Sequence, residues 1–201
     1  MKKVLIIAVL FFLSTGSNAQ VEVSLGAKLG MNMSNISNAY DASGKTGFNA
    51  GAFVNLHLSR FYELQIETSY SEQGATLKPI PNASFGVEEK DIDSKYVSLG
   101  VSNKFYPFKN IGFNLLVGPA FEVHVVNSHG DISPLDLTFF GGLGYEFPFG
   151  LGIEVRYKKG IVDVSGNSSV FREYQEEYYD SPSMLNGVLQ LGLSYRFNFS
   201  K

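Results

Sequence analysis

Val21-Glu22-Val23-Ser24-Leu25-Gly26-Ala27-Lys28-Leu29-Gly30-Met31-Asn32-Met33 reads with a period of two. Every odd position is apolar or Ala, and the even positions hold Glu22, Ser24, Gly26, Lys28, Gly30 and Asn32. Successive side chains of a strand point to opposite faces, so this stretch is a strand with one greasy face and one polar or very small face. It is too long for an ordinary globular strand of about 5–6 residues. It suits a tilted strand that crosses a bilayer in about 9–11 residues.

The same alternation returns seven times. Phe48 to Leu58 sets Phe48, Ala50, Ala52, Val54, Leu56 and Leu58 against Asn49, Gly51, Asn55 and His57, with Phe53 as an exception. Tyr62 to Tyr70 opposes Leu64 and Ile66 to Glu63, Gln65 and Glu67, and a fourth run opposes Val97, Leu99, Val101 and Phe105 to Ser98, Gly100, Ser102 and Lys104. A fifth, Ile111 to Val125, is interrupted by Leu116; a sixth covers Leu137 to Phe147, a seventh Leu151 to Lys158, and an eighth Leu189 to Phe199. The connections alternate in length. Ser59-Arg60, Pro107 to Asn110 and Pro148 to Gly150 are tight turns, whereas Ser34–Gly47, Ser71–Ser94, Val126–Asp136 and Gly160–Asn186 read as long loops. Short turns on one side and long loops on the other are the habit of bacterial outer-membrane barrels. Phe61, Tyr62, Phe105, Tyr106, Phe108, Phe147, Phe149, Tyr195, Phe197 and Phe199 gather near the turns as an interfacial girdle. Phe48, Tyr70, Tyr96, Phe139 and Tyr157 form a thinner one near the loops.

Composition agrees. Of 201 residues, 44% are hydrophobic and only 17% charged, against about 25% charged in soluble domains. The chain has no Cys, which excludes disulfides, thiolate metal sites and a Cys nucleophile. A net charge of −3 gives no nucleic acid a basic face to bind. Met1-Lys2-Lys3, the apolar run Val4 to Leu13 and the small residues Ser17 and Ala19 read as a signal peptide over residues 1–19, cleaved before Gln20, and residues 20–201 then form one barrel domain. A soluble lipocalin-type barrel would have to bury about six greasy side chains on each of eight strands. An eight-stranded lumen is only just wide enough for side chains to fill it, so the greasy face must point outward. The expected fold is therefore all-β: an eight-stranded antiparallel up-and-down transmembrane β-barrel with short periplasmic turns and long extracellular loops, monomeric in outer-membrane lipid.

Three segments carry a resemblance to a known family: Leu25 to Ser34, Glu154-Val155-Arg156-Tyr157 with Lys158-Lys159-Gly160-Ile161, and Gln190 to Phe197. With these the chain resembles the PorT-like small outer-membrane barrels of Bacteroidetes, whose architecture is similar to OmpX- and OmpA-type barrels. Gln190, Gly192, Tyr195, Phe197 and Phe199 also look like the signal read by the barrel assembly machinery. The resemblance implies an outer-membrane location and no single activity, since some relatives look like secretion-system components.

By strand phase the lumen holds Glu22, Glu63, Glu67, Glu122, Glu146 and Glu154 beside Lys28, Lys104, Arg156, Lys158 and Arg196. In a confined interior such charges persist as paired, hydrogen-bonded filling. The alternative is a narrow, cation-preferring pore. His57 and His124 read as polar filling. Ser128, His129 and Asp131 invite an acyltransferase reading, but adjacency is not triad geometry. No metal-ligand spacing and no phosphate loop calls for a cofactor. The fourth loop, with Phe171, Arg172, Tyr174, Tyr178 and Tyr179, reads either as a protein-binding surface or as a solvated loop packed on the barrel mouth. The expectation is a non-enzymatic protein working through its loops.

Overall fold

The structure, a computed structural model, describes residues 21–37, 42–77, 90–108, 111–127, 135–161 and 185–197. The signal-peptide segment, Ser128 to Asp131, the fourth-loop aromatics and Phe199 lie outside them. Eight strands follow in order: β1 (Glu22–Ser37), β2 (Ala42–Ser59), β3 (Tyr62–Leu77), β4 (Lys90–Phe105), β5 (Phe113–Asn127), β6 (Leu135–Glu146), β7 (Leu151–Gly160) and β8 (Leu185–Phe197). Each pairs antiparallel with the next, and β8 pairs with β1, which closes the barrel.

The register fixes the stagger. From His57 on β2 the paired positions run through Glu63, Lys104, Leu116, Gly142, Arg156, Gln190 and Asn32, and return to β2 at Gly47, ten residues from the start. Eight strands with a shear of ten tilt by about 35–45° and leave an interior that side chains can fill. The greasy face points outward throughout: Leu25, Leu29, Val97, Leu99, Val117, Phe121, Leu143, Ile153, Leu191 and Leu193 are all exposed, while Ser24, Asn32, Gln65, Ser98, Ser102 and Glu122 are buried. This inversion of the usual burial order is what a lipid-facing wall requires.

The strands outrun the alternating segments. β3 continues to Leu77 and β4 starts at Lys90, within what the sequence gives as a loop over Ser71–Ser94; β2, β6 and β8 begin at Ala42, Leu135 and Leu185. A ladder is held by backbone hydrogen bonds and needs no greasy face once it leaves lipid, so the period fades before the strand does. Two breaks in the pattern are lumen residues. Phe53 is buried opposite Gly26, and a Cβ on Gly26 would stand 2.1 Å from the Phe53 ring, so the glycine is the space that the ring occupies. Leu116 joins Ala120 and Phe140 in a small apolar cluster inside the barrel.

Two aromatic placements are corrected. Tyr96 is buried inside rather than part of an outer girdle, because it is in phase with Ser98, and its ring lies 4.7 Å from that of His124. Tyr106, just past the end of β4, turns into the barrel mouth instead of lipid. Among the described residues the other members of the turn-end girdle stand outside, with ring pairs Tyr62–Phe105, Tyr145–Phe147, Phe147–Phe149 and Tyr195–Phe197 at 4.9–5.4 Å. At the β6–β7 turn Gly150 takes a φ of 91°, which only glycine adopts without strain.

Candidate functional site

Lumen-facing side chains from opposite walls meet at three levels. Nearest the turns, Arg196 of β8 reaches Glu63 of β3 (Nη2 to Oε2, 2.7 Å) and Glu146 of β6 (Nε to Oε1, 2.8 Å). The Tyr106 hydroxyl lies 3.0 Å from a carboxylate oxygen of each acid. Burial first, and then the Glu146 and Glu63 carboxylates, pushes its pKa up, so it remains a proton donor. His57 Nδ1 stands 2.9 Å from Glu63 Oε1.

The middle level is a five-membered ion cluster. Arg156 Nη1 is 2.6 Å from Glu67 Oε1 and its Nη2 is 2.6 Å from Glu154 Oε2. Lys28 reaches Glu67 at 2.8 Å, and Lys104 reaches Glu154 at 3.2 Å. The guanidinium also lies 5.1 Å from the Phe140 ring centre, and Lys104 Nζ lies 5.8 Å from that of Phe53. Phe53 and Phe140, both turned into the lumen, thus form walls for the cations, where a ring face attracts positive charge. Lys158 pairs with Glu122, which is wholly buried. Each pair offsets a desolvation cost that an isolated ion could not meet.

Toward the loops, charge gives way to amides. Asn49 Nδ2 and Gln190 Nε2 both donate to Asn32 Oδ1 at 2.7 and 2.9 Å. Asn32 Nδ2 and Gln73 Nε2 both reach Ser71 Oγ, and Asn186 donates to Gln73. The layer is tied into the wall where β2 and β3 lose register between Gly44 and Asn49: Asn32 donates to the Glu72 carbonyl, and Ser34 Oγ bonds both the carbonyl and the N–H of Gly74. Above that irregularity a cleft of about 430 Å³ opens, lined by residues including Lys45, Glu72, Gln73, Asp93 and Lys95.

Of the eleven charged residues read as lumenal, ten enter these layers or the Lys158–Glu122 pair. Glu22 does not: it lies exposed at the end of β1, because phase gives a face and not a depth along the strand. His124 is not the hydrogen-bonded filler expected, since neither ring nitrogen has a hydrogen-bond partner and the ring stacks on Tyr96 instead. Of the assembly-signal residues, Gln190 is bonded inside the lumen, while Tyr195 and Phe197 face outward. The sequence reading missed Asp136, buried on β6 in phase with Thr138, and the amide layer. Extending the phase of Thr138 two residues back, one residue before the greasy run, finds Asp136. Among the described residues no group of three or more His, Asp or Glu side chains is placed to hold a metal ion.

Residues 5–197 match the sequence profile of the family described as outer membrane protein beta-barrel domain. No curated protein matches the chain in sequence. Among solved structures the chain is similar to neisserial surface protein A, at 12% identity and a TM-score of 0.52, over 88% of this chain and 99% of that one. It is also similar to Ail, the attachment invasion locus protein of Yersinia pestis, solved with the heparin analogue sucrose octasulfate (15% identity, TM-score 0.49, 88% and 99% covered). OprG from Pseudomonas aeruginosa follows at 11% identity and a TM-score of 0.45, over 88% and 94%. At such identities the likeness is one of fold.

Proposed function

We propose a function for a chain that belongs to the outer membrane protein beta-barrel domain family: it is a closed, non-enzymatic membrane anchor that presents its loop-end segments to a partner. The observation that carries this reading is the cross-bracing of the lumen, where Arg196–Glu63, Arg156–Glu67 and Lys104–Glu154 join strands on different sides of the barrel. An ion entering from either mouth would have to separate buried ion pairs, which is costly in a low-dielectric interior. The lumen acids of a kind that serves as general acid or base are held in these pairs, which favours a binding role over catalysis.

The finer parts of the reading rest on the sequence. The N-terminus and the three turns face the periplasm after a leader is removed near Ala19-Gln20, the assembly machinery inserts the chain as a monomer, and the loops face outward. The PorT-like resemblance makes a secretion-associated partner the natural occupant of the fourth loop, whose Phe171, Arg172, Tyr174, Tyr178 and Tyr179 combine aromatic area with charge.

The deciding measurement is planar-bilayer conductance of the refolded barrel. The closed-anchor reading expects silence. A steady current whose ion selectivity changes in Glu122→Lys would replace it with the pore reading. Deleting 171–180 should leave a folded barrel that no longer captures its partner from the secreted fraction; undiminished capture would remove the fourth loop from the account.

A further inference from the structure

The outward face of β7 ends on a charge. Ile153, Val155, Tyr157 and Lys159 point out of the barrel in alternation with the buried Glu154, Arg156 and Lys158. Lys159 is the ninth residue of the strand, and a tilted strand crosses the hydrocarbon in about 9–11. Its ammonium group therefore stands where the apolar wall gives way to headgroups, the depth at which a lysine on the lipid face costs least.

No carboxylate of the wall answers that charge. Lys28, Lys45, Lys95, Lys104 and Lys158 are each in an ion pair, whereas Lys159 enters none among the described residues. Its neighbours have no anion to offer. Its partner on β6 is Phe139 and its partner on β8 is Gly187, and Leu137 and Leu189 lie next to these on the outward face.

A second donor lies at the same level. Tyr157 is paired with Leu189, one outward position nearer the turns, but its side chain leans toward the loops across Gly187: a Cβ on that glycine would stand 3.1 Å from the Tyr157 hydroxyl oxygen. Gly187 is thus a notch in the wall that lets the hydroxyl rise to the level of Lys159. An ammonium group and a phenolic O–H together suit the clustered anionic oxygens of a phosphate, which take charge-assisted hydrogen bonds from several donors at once.

The surroundings select the kind of phosphate. Val155, Leu189 and Leu191 continue the same face toward the turns and stand exposed, so an occupant of this place needs apolar chains beneath its charge. We propose that Lys159 and Tyr157 hold the headgroup phosphate of a lipid whose acyl chains lie along Val155, Leu189 and Leu191. With the loops facing outward, the orientation on which the choice of leaflet rests, that lipid is a phosphorylated glycolipid of the outer leaflet.

Titration of the detergent-solubilised barrel with diphosphoryl lipid A, read by native mass spectrometry, tests this whether or not the lumen is closed and whichever way the loops face. The unaltered barrel should retain the lipid, and Lys159→Gln should weaken retention about five-fold, the share one lysine contributes at an anionic headgroup. Tyr157→Phe should weaken it by a smaller factor, and Lys159→Arg should preserve it. Lys45→Gln removes the same charge from the Lys45–Asp93 pair and should leave retention unchanged. Undiminished retention by Lys159→Gln would overturn the assignment, and so would an equal loss in Lys45→Gln, which would mean net charge alone. Inorganic phosphate binding at Lys159 as tightly as lipid A would rule out the lipid, and a dimer lost in Lys159→Gln would give the face to a second copy of the chain instead.

Discussion

The five-ion cluster makes an unequal prediction about its own members. Lys28, Lys104 and Arg156 supply three positive charges and Glu67 and Glu154 two negative ones, all nine-tenths buried at the side chain. Glu67→Gln leaves three cations against one carboxylate. Breaking a buried pair in this way, with unmatched charge left behind, costs about 3–5 kcal/mol. Arg156→Met leaves Lys28 beside Glu67 and Lys104 beside Glu154, so no charge is stranded, and the loss is that of hydrogen bonds to charged groups, about 1–3 kcal/mol. Combining the two restores the excess of the native cluster, one positive charge. The double variant should therefore be more stable than Glu67→Gln alone, although it carries an additional mutation. Urea unfolding in lipid vesicles measures this, followed by far-ultraviolet circular dichroism or by tyrosine emission, because the chain has 11 Tyr and no Trp. A double variant less stable than Glu67→Gln would show that geometry rather than charge balance governs the cluster.

Leu99 stands outward at 59% exposure, and Leu99→Lys should lower stability in vesicles by about 2–4 kcal/mol; a refolded barrel of unchanged stability would place that position outside the hydrocarbon. Gly26→Ala should destabilise by about 1–3 kcal/mol, because the new methyl meets the Phe53 ring. Phe53→Ala should recover part of that loss in the same unfolding assay, and strictly additive costs would contradict the contact. Tyr106→Phe takes a donor from Glu63 and Glu146 and should cost about 1–3 kcal/mol, against no change if the hydroxyl is merely solvated.

Much of this barrel is legible from the period of two, because lipid outside and a crowded lumen inside demand opposite chemistries at alternate residues. Val97, Leu99 and Val101 against Ser98, Gly100 and Ser102 give a strand, its faces and its membrane role at once. Depth and partnership are not legible in that way. Glu22 shares the lumen phase of Lys28 yet lies at the rim, and the union of Arg156 with Glu67 depends on a stagger of ten that only the paired register reveals. Phe53 and Leu116 look like flaws in the pattern because a lumen is expected to be polar; inside, they fill space beside Gly26 and Ala120, and the Phe53 ring also faces a cation, Lys104. Tyr96 has the residue type of a girdle but the phase of the lumen, and phase decides its face. The strand extensions beyond lipid carry polar residues on both faces, so periodicity has nothing there to report.

Closure of β8 onto β1 sets the order of events during biogenesis. Leu25 must find Phe197, and Ser37 must find Leu185, across nearly the whole chain. Until that last seam forms, the sheet has two raw edges and no inside, and the outward leucines and phenylalanines have no solvent that suits them. Contacts so distant in sequence form slowly, and an unfinished sheet with greasy faces and open edges aggregates in water. Such a sheet can complete itself only at a lipid surface, where zipping the first strand to the last and entering the membrane become a single act.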